Sequence, residues 1–372
     1  MVMSFLRTSI AVLGLASALL SAASPSARPS EAPRAASRMH TYFIAADEVA
    51  WDFAPRGRAL TGAATRSIDD ADSVRRTTYL KAIYREYTDD TFTTLKPRSP
   101  AWEHLGMLGP LLRAEVGDTI RVVYRNNTNG FFSMHPHGLA YDKASEGALY
   151  NDGTLDADKR DDRIPPGASH VYLWTVPPRA GPGPHDPSSV LWMYHSHFVE
   201  PTDMNTGLLG PIIVSASGSA RPDGSPTDVD REFVAAFAIY DETASAYVDK
   251  NIVLNSVRAA NLKVTDPGLR RLHLMYSING FIDGNLPLLT MKKGERVRWY
   301  LMSNSNDEDV HGAHWHGQTA VAGGMRTDTV PLAPMGMTVA DMIPDGVGTW
   351  LFHCHVNDHF EGGMQALFRV VP

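Results

Sequence analysis

The sequence predicts an all-β protein made of two copies of one β-sandwich domain. Short runs rich in Val, Ile, Tyr, Phe and Trp alternate with turns rich in Gly, Pro, Asn and Asp, and helical periodicity is scarce. The same series of motifs occurs twice along the 372 residues, which indicates an internal duplication. We therefore expect two antiparallel sandwiches with a few short helices.

The N-terminal segment predicts export. Residues 9–20 form an apolar run of signal-peptide length, and Ser21, Ala22 and Ala23 provide small residues for cleavage. The run is shorter than the roughly 20 residues that span a bilayer. We expect a signal peptide at residues 1–23, a Pro-, Ala- and Ser-rich leader at residues 24–38, and a periplasmic or extracellular protein that has no membrane attachment after cleavage. An uncleaved anchor is the alternative.

The repeated motifs place the domain boundaries. The segment PLLRAEVGD at residues 110–118 precedes a strand-like run, and PLLTMKKGE at residues 287–295 does the same in the second half. Each is followed by an HxHG motif, and each half ends with an HxH motif. A Gly-, Ser-, Pro- and Asp-rich stretch at residues 216–230 reads as a linker. The predicted domains are residues 39–215 and residues 231–372.

Charge and cysteine content narrow the classes of function. The formal net charge is -7 and the chain has no basic block, which argues against nucleic acid as a partner. A single Cys excludes an intramolecular disulfide framework. Histidine is abundant instead: there are 15, and ten of them lie in four short clusters.

The spacing of the paired histidines predicts metal sites. Side chains at i and i+2 of a strand point to the same face, so each HxH pair can serve one metal ion or a close pair of ions. Neutral imidazole suits copper, zinc, iron and nickel. The four pairs are His135 and His137, His195 and His197, His314 and His316, and His353 and His355.

The last cluster, HCHVNDHFEGGM, adds a second kind of site. Cys354 lies between His353 and His355, so on a strand it faces away from them. His311 precedes His314 by an odd spacing, and His359 and Met364 follow Cys354. A set of one Cys, two His and a weak axial Met is that of a blue copper centre, whereas structural zinc sites usually contain more Cys.

At this point the sequence resembles the multicopper oxidases, on the motifs HPHG, HSH, HGAHWHG and HCHVNDHFEGGM. The segments TYFIAADEVAWDFAP and LGPLLRAEVGD are similar to the ceruloplasmin and hephaestin branch. The resemblance implies two cupredoxin-like Greek-key sandwiches and four copper ions per chain. By position, it assigns His311, Cys354, His359 and Met364 to type 1 copper; His135 and His314 to type 2 copper; and His137, His195, His197, His316, His353 and His355 to a type 3 pair.

The first half lacks a type 1 set of its own. Ser196 and Phe132 stand in place of Cys354 and His311, Leu208 or Thr206 falls near the position of Met364, and the counterpart of His359 is expected at about Pro201. The eight remaining histidines must meet between a first and a second domain. Two-domain relatives build this interface between chains, so the resemblance implies a homotrimer. A monomer with an intrachain cluster is the alternative.

The resemblance further implies a laccase-like oxidase that couples four one-electron oxidations of a phenol or aromatic amine to the reduction of O2 to water. Cys354, His353 and His355 would carry the electrons, and Tyr141, Glu146 and Asp328 would lie near the copper cluster. Asp358 matches an Asp of the ferroxidases, but Arg271 and Tyr276 replace their other iron-binding positions. A metal-ion oxidase acting on Fe²⁺ or Cu⁺, and a non-catalytic copper carrier, remain alternatives.

The acidic loop at residues 151–163 contains Asp156, Asp158, Asp161 and Asp162. It resembles the calcium loop of ceruloplasmin-type domains, and carboxylate and carbonyl oxygens are the ligands that calcium prefers. We expect a Ca²⁺ site here, with a solvated acidic face as the alternative.

Overall fold

The computed structural model describes residues 37–62, 76–255, 267–304 and 310–372. The predicted signal peptide and all of the predicted leader except Ser37 and Arg38 lie outside the described residues. Nineteen strands and four short α-helices are assigned in the described part. The predicted all-β class is confirmed. No described helix is both long and apolar enough to cross a membrane.

The strands of the first half form two sheets of four strands, with the orders β2-β1-β4-β6 and β3-β8-β7-β5. Their bounds are β1 Met39–Asp52, β2 Thr78–Tyr87, β3 Leu112–Glu115, β4 Thr119–Asn126, β5 His135–Pro136, β6 Ser169–Thr175, β7 Ser189–His195 and β8 Leu209–Ser215. Helix α1, Glu200–Thr206, connects β7 to β8. Short 3-10 turns occupy Pro100–Leu105, Lys143–Ser145, Asp156–Lys159 and Pro178–Ala180.

The second half forms a sheet of six strands, ordered β10-β9-β12-β17-β14-β15, and one of five, ordered β11-β19-β18-β13-β16. The bounds are β9 Arg231–Asp241, β10 Leu274–Ile278, β11 Leu289–Lys292, β12 Val297–Ser303, β13 His311–Trp315, β14 Ala320–Ala322, β15 Met325–Thr327, β16 Thr329–Leu332, β17 Met337–Met342, β18 Gly348–Cys354 and β19 Gln365–Val371. The helices are α2 Val248–Asn255, α3 Pro267–Leu272 and α4 Asn357–Glu361. No described sheet mixes strands of the two halves.

The sequence predicted antiparallel sandwiches, and most strand pairs are antiparallel, but the sheets are mixed. Each of the four sheets contains one parallel pair: β1 with β4, β3 with β8, β9 with β12, and β11 with β19. The two halves repeat this arrangement, since in both the opening strand runs parallel to the strand that follows the PLL segment. Parallel pairing joins strands that are distant in sequence, so the alternation of apolar and polar residues within a strand does not reveal it.

Each half has its own apolar core. In the first half, Tyr84, Tyr124, Tyr172 and Trp174 are fully buried between the two sheets. In the second half, the rings of Trp299, Trp315 and Phe352 pack with centroids 4.9 to 5.4 Å apart. Aromatic side chains of this size dominate the burial energy of a core. Both cores lie directly behind the strands that carry the histidine motifs.

The structure explains why each HxHG motif ends in glycine. Gly138 and Gly317 have φ of 74° and 65°, the left-handed region that favours glycine. A Cβ at Gly138 would lie 2.2 Å from the Trp192 ring, and one at Gly317 would lie 2.7 Å from the Trp350 ring. Each tryptophan stands three residues before the HxH motif of its own half. The glycine therefore lets the chain turn closely over this ring after the second histidine.

Candidate metal centre

Three side chains meet on the buried face of the second-half strands. The ligand atoms of His311, Cys354 and His359 all lie within 4.8 Å of one another, and all three residues are buried. Cys354 Sγ lies 3.4 Å from Nδ1 of His359 and 3.8 Å from Nδ1 of His311. The amide of Gly312 donates to the same sulfur at 3.4 Å. Met364 is fully buried in the same core.

A histidine group lies on the other side of the same two strands. The ligand atoms of His314, His316 and His353 lie within 4.8 Å of one another, and the Nε2 atoms of His316 and His353 are 3.1 Å apart. The His355 ring is 5.2 Å from that of His314. Because residue faces alternate along β18, Cys354 and its two histidine neighbours serve opposite faces. We call these four histidines the second-half group.

The first half repeats this arrangement. The Nε2 atoms of His137 and His195 are 3.0 Å apart, and the His135 ring lies 5.2 Å from that of His197. These four histidines are the first-half group. Strand pairing sets His135 opposite His195 in one half and His314 opposite His353 in the other. In the part of the chain that the structure describes, no ring contact or hydrogen bond joins the two groups.

Backbone carbonyls fix the tautomer of four histidines. Because a carbonyl only accepts, the Nδ1 atom facing it must carry the proton, which leaves Nε2 with its lone pair. The pairs, by Nδ1–O distance, are His135 with Glu146 at 2.7 Å, His314 with Asp328 at 2.8 Å, His195 with Ser196 at 3.0 Å and His353 with Cys354 at 2.7 Å. Such outer hydrogen bonds are typical of metal-binding histidines.

Burial keeps several of these imidazoles neutral. It lowers the pKa of His137 and of His353 to about 4, with a further lowering from neighbouring imidazoles. Burial and the charge of His359 lower the pKa of His311 to about 3. Burial is also the main cause that lowers the pKa of His195 well below its usual value. Neutral imidazole is the form that binds a metal ion.

The three residues expected near the copper cluster lie beside the histidines in different ways. The Tyr141 ring is 5.6 Å from that of His135. Glu146 and Asp328 hold His135 and His314 through their backbone carbonyls. The Glu146 carboxylate instead accepts from Lys143 at 2.6 Å and from the Tyr150 hydroxyl at 3.0 Å. The Asp328 carboxylate is exposed, 4.0 Å from Nδ1 of His314.

Backbone hydrogen bonds align the first half with the four positions that the resemblance assigns to type 1 copper, and they correct one predicted counterpart. In the second half, Cys354 N donates to Met364 O, and Met364 N donates to His359 O. In the first half, Ser196 N donates to Leu208 O, and Leu208 N donates to Asp203 O. Leu208 therefore takes the place of Met364.

Asp203, and not Pro201, takes the place of His359. The reason is that α1 has seven residues and α4 has five, so the first-half loop is two residues longer. Counting residues from the HxH motif therefore missed Asp203. Its spacing to Leu208, which equals the spacing from His359 to Met364, is a sequence signal that could have found it.

The surface beside His359 contains the residues expected near the substrate. Asp358 is exposed at the start of α4. The Tyr276 ring lies 5.6 Å from the His359 ring, and a Cβ at Gly362 would lie 2.4 Å from Tyr276. Arg271 is exposed on α3, directly before the strand that carries Tyr276. An aromatic ring therefore flanks His359, and the exposed Arg271 precedes that ring by five residues in the chain.

Family comparison agrees with this geometry. Residues 97–219 and residues 258–372 match two models described as multicopper oxidase. Together these ranges cover more than half of the chain, which therefore belongs to the multicopper oxidase family, a family of copper-binding oxidoreductases.

Individual relatives are similar over most of this chain. Hephaestin from Homo sapiens is 40% identical over 342 residues, which is 88% of this chain and 29% of hephaestin. Ferroxidase HEPHL1 from Mus musculus is 40% identical, over 89% of this chain and 29% of that protein. Ceruloplasmin from Homo sapiens is 39% identical, over 88% and 32%. The chain thus spans about a third of the length of these relatives.

Solved structures share the fold. A multicopper oxidase crystal structure superposes with a TM-score of 0.56 at 18% identity, over 90% of this chain and 88% of that chain. A blue copper oxidase from Nitrosomonas europaea gives a TM-score of 0.55 at 17% identity, over 90% and 86%. The expected cupredoxin-like sandwich fold is confirmed.

Proposed function

We propose that this chain is a copper-dependent oxidase that couples the oxidation of a small reducing substrate to the reduction of O2 to water. The observation that carries the proposal is the placement of Cys354. Its sulfur faces His311 and His359, while its chain neighbours His353 and His355 belong to the second-half group on the opposite face. One tripeptide thus joins a buried Cys-His-His set to an all-imidazole set.

The residues present fit copper. A thiolate with two imidazoles and a nearby thioether is a blue-copper donor set, and neutral imidazoles with free Nε2 lone pairs suit the all-histidine sites. We assign His311, Cys354, His359 and Met364 to type 1 copper. Copper bound at these positions would supply reversible one-electron redox chemistry. The covalent path from Cys354 Sγ through the main chain to His353 and His355 would then connect the two faces by a short route for electrons.

The two histidine groups support assembly of chains into a ring. Each group offers four imidazoles, and within one chain the described contacts stay inside each half. We infer that the first-half group of one chain meets the second-half group of the next, as in a homotrimer closed by a repeated head-to-tail interface. His135 and His314 would hold the type 2 ion, and the other six histidines the type 3 pair. Tyr141, Glu146 and Asp328 would then border the shared cluster.

An organic reductant is the substrate that we favour. Tyr276 presents a ring beside His359, and a planar phenol or aromatic amine can pack against such a ring. Arg271 brings a positive charge to one of the positions that match the iron-binding residues of the ferroxidases, which disfavours Fe²⁺. The exposed Asp358 and the names of the relatives, which include a ferroxidase, favour the metal-ion alternative. The predicted signal peptide supports export, because O2 and such reductants are available outside the cytoplasm.

Steady-state rates on a phenol, Fe²⁺ and Cu⁺ under air test the substrate. We expect the highest kcat/KM with the phenol. Arg271→Glu is expected to raise kcat/KM for Fe²⁺ about fivefold, since reversing one exposed charge is worth about 1 kcal/mol. Arg369→Glu is the matched control, because Arg369 is exposed and pairs with Thr349, towards the end of β18 away from Cys354. Fe²⁺ as the best substrate of the wild-type protein would establish the ferroxidase alternative, and copper binding without O2 uptake would establish the carrier.

We also propose that the acidic loop binds calcium through Asp161 and Asp162. Both are buried, whereas Asp156 and Asp158 are exposed. Asp161 Oδ2 accepts from the Gly147 amide at 2.7 Å, but Oδ1 has no partner among the described atoms. A buried carboxylate oxygen without a partner is costly unless a cation satisfies it.

The pH dependence of stability checks the calcium proposal. Burial, followed by the charge of Asp161, raises the pKa of Asp162 from 3.8 to about 6. Without calcium, the free energy of unfolding should therefore fall by about 2 kcal/mol as the pH rises from about 4 to 6. Added calcium should restore it at pH 7. Asp162→Asn should abolish both the loss of stability with pH and its recovery with calcium. Asp158→Asn should leave both unchanged. A wild-type melting temperature that is indifferent to calcium at pH 7 would refute the site.

A further inference from the structure

The place in the first half that corresponds to type 1 copper is filled by a hydrogen-bonded carboxylate. By register, Phe132, Ser196, Asp203 and Leu208 occupy the positions of His311, Cys354, His359 and Met364. Asp203 is 2% exposed, and its Oδ2 accepts from the Ser196 hydroxyl at 2.7 Å. This pair stands where His359 Nδ1 and Cys354 Sγ lie 3.4 Å apart in the second half.

The same oxygen also holds the chain that follows His197. Asp203 Oδ2 accepts from the Phe198 amide at 3.1 Å and from the Val199 amide at 3.0 Å. One carboxylate oxygen thus receives three donors from the segment that directly follows His195. Three donors on one buried oxygen hold this segment firmly. The hold is strongest above pH 7, because burial raises the pKa of the Asp203 carboxyl group to about 7 and only the ionised form is a charged acceptor.

A relay of two serines extends this hold to the HxHG motif. Ser196 Oγ accepts from the Ser133 amide at 3.0 Å. Ser133 Oγ in turn accepts from the His197 amide at 3.0 Å and donates to the Gly147 carbonyl at 2.6 Å. Gly147 follows Glu146, whose carbonyl orients His135. The positions of His197 and His135 are therefore coupled through hydrogen bonds that lead back to Asp203.

The helix that carries Asp203 is itself anchored to the second half. Asn205 Oδ1 accepts from the Asp241 amide at 2.8 Å, and the Asn205 carbonyl accepts from the buried Lys81 ammonium at 2.6 Å. Lys81 also pairs with Glu242 at 2.6 Å, and both side chains are fully buried. The anchor gives α1 a fixed position from which Asp203 can hold the His195–His197 segment.

We propose that Asp203 is a positioning residue that holds the first-half histidines. It does so from the position that His359 occupies in the second half. The proposal rests on the proposed function only for its consequence in catalysis. The hydrogen bonds are made by the chain itself, so the positioning can be measured on copper-free protein.

Amide hydrogen exchange of the copper-free chain tests the positioning. At pH 8, Asp203→Asn is expected to accelerate exchange at Phe198 and Val199 by more than about tenfold, because the two amides exchange an ionised acceptor for a weaker, neutral one. Ser196→Ala should accelerate His197 by less, since it breaks only the relay. Asp90→Asn, which removes an exposed carboxylate far from the site, should change neither. After copper loading, Asp203→Asn should lose copper from the all-histidine sites and keep its blue absorbance.

Unchanged exchange at Phe198 and Val199 in Asp203→Asn would overturn the proposal, whatever the protein oxidises. If exchange also rises throughout β1, the variant is unfolding globally, and Ser196→Ala then decides: unaltered exchange at His197 in that variant overturns the proposal. Accelerated exchange in a protein that consumes no O2 would support the positioning role while rejecting the oxidase function. Full copper content with an unaltered type 2 signal in Asp203→Asn would also count against it.

Discussion

Replacing Cys354 with serine is expected to abolish the blue absorbance and to lower O2 consumption by at least about a hundredfold, which corresponds to about 3 kcal/mol in the barrier. A hydroxyl does not replace a thiolate as the soft ligand between His311 and His359. The histidines of the opposite face should still load with copper, because their hydrogen bonds run through backbone carbonyls that the substitution leaves intact.

The measurement combines an absorbance scan, copper analysis and O2 uptake on the same preparation. Met364→Leu is the matched control, since it changes another buried residue of the same site and removes only the weak axial ligand. That variant should keep its colour and much of its activity. A Cys354→Ser protein that oxidises substrate at the wild-type rate would remove Cys354 from the electron path and with it the proposed function.

Mixing two inactive variants is expected to regain activity if the copper cluster lies between chains. His135→Ala disables every first-half group, and His316→Ala disables every second-half group, so each variant alone should be inactive. In a mixed ring, one interface joins the intact first half of a His316→Ala chain to the intact second half of a His135→Ala chain. Each mixed trimer should therefore regain about one third of the wild-type clusters.

The experiment is co-expression of the two variants, followed by O2 uptake and determination of the mass of the assembly. Separately purified variants that are mixed without exchange of subunits provide the control, and they should remain inactive. If each monomer instead held its own intrachain cluster, every chain would carry one of the two substitutions in that cluster and would stay inactive. Absence of regained activity in a co-expressed mixture of confirmed trimers would therefore contradict the shared cluster.

The all-β fold could be predicted because strands and turns have local sequence signals. These signals are the alternation of apolar and polar residues and the Gly, Pro, Asn and Asp residues of the turns. The parallel strand pairs were not predictable in this way, since β1 pairs with β4 across more than seventy residues. Family membership could be predicted from the histidine and cysteine motifs, because metal ligands are specified by side-chain type and spacing, and the sequence contains both. Each of these motifs spans only a few residues, so it can be recognised without knowledge of the fold.

The surroundings of the histidines were less predictable. Glu146 and Asp328 were expected near the copper cluster, but the atoms that make hydrogen bonds with His135 and His314 are their backbone carbonyls. Any residue type offers a carbonyl, so sequence alone contains no signal for this role. Asp203 was missed because two additional residues in α1 shift its position relative to the histidine motif. The length of a short helix is set by tertiary contacts, here those of Asn205 with the second half.

Copper content measured together with O2 uptake on the purified protein tests the central claim most directly. We predict about four copper ions per chain, an intense blue absorbance, and O2 consumed when a phenol is supplied. Copper bound with the blue absorbance but without O2 consumption on a phenol, Fe²⁺ or Cu⁺ would contradict the account and identify the chain as a copper carrier.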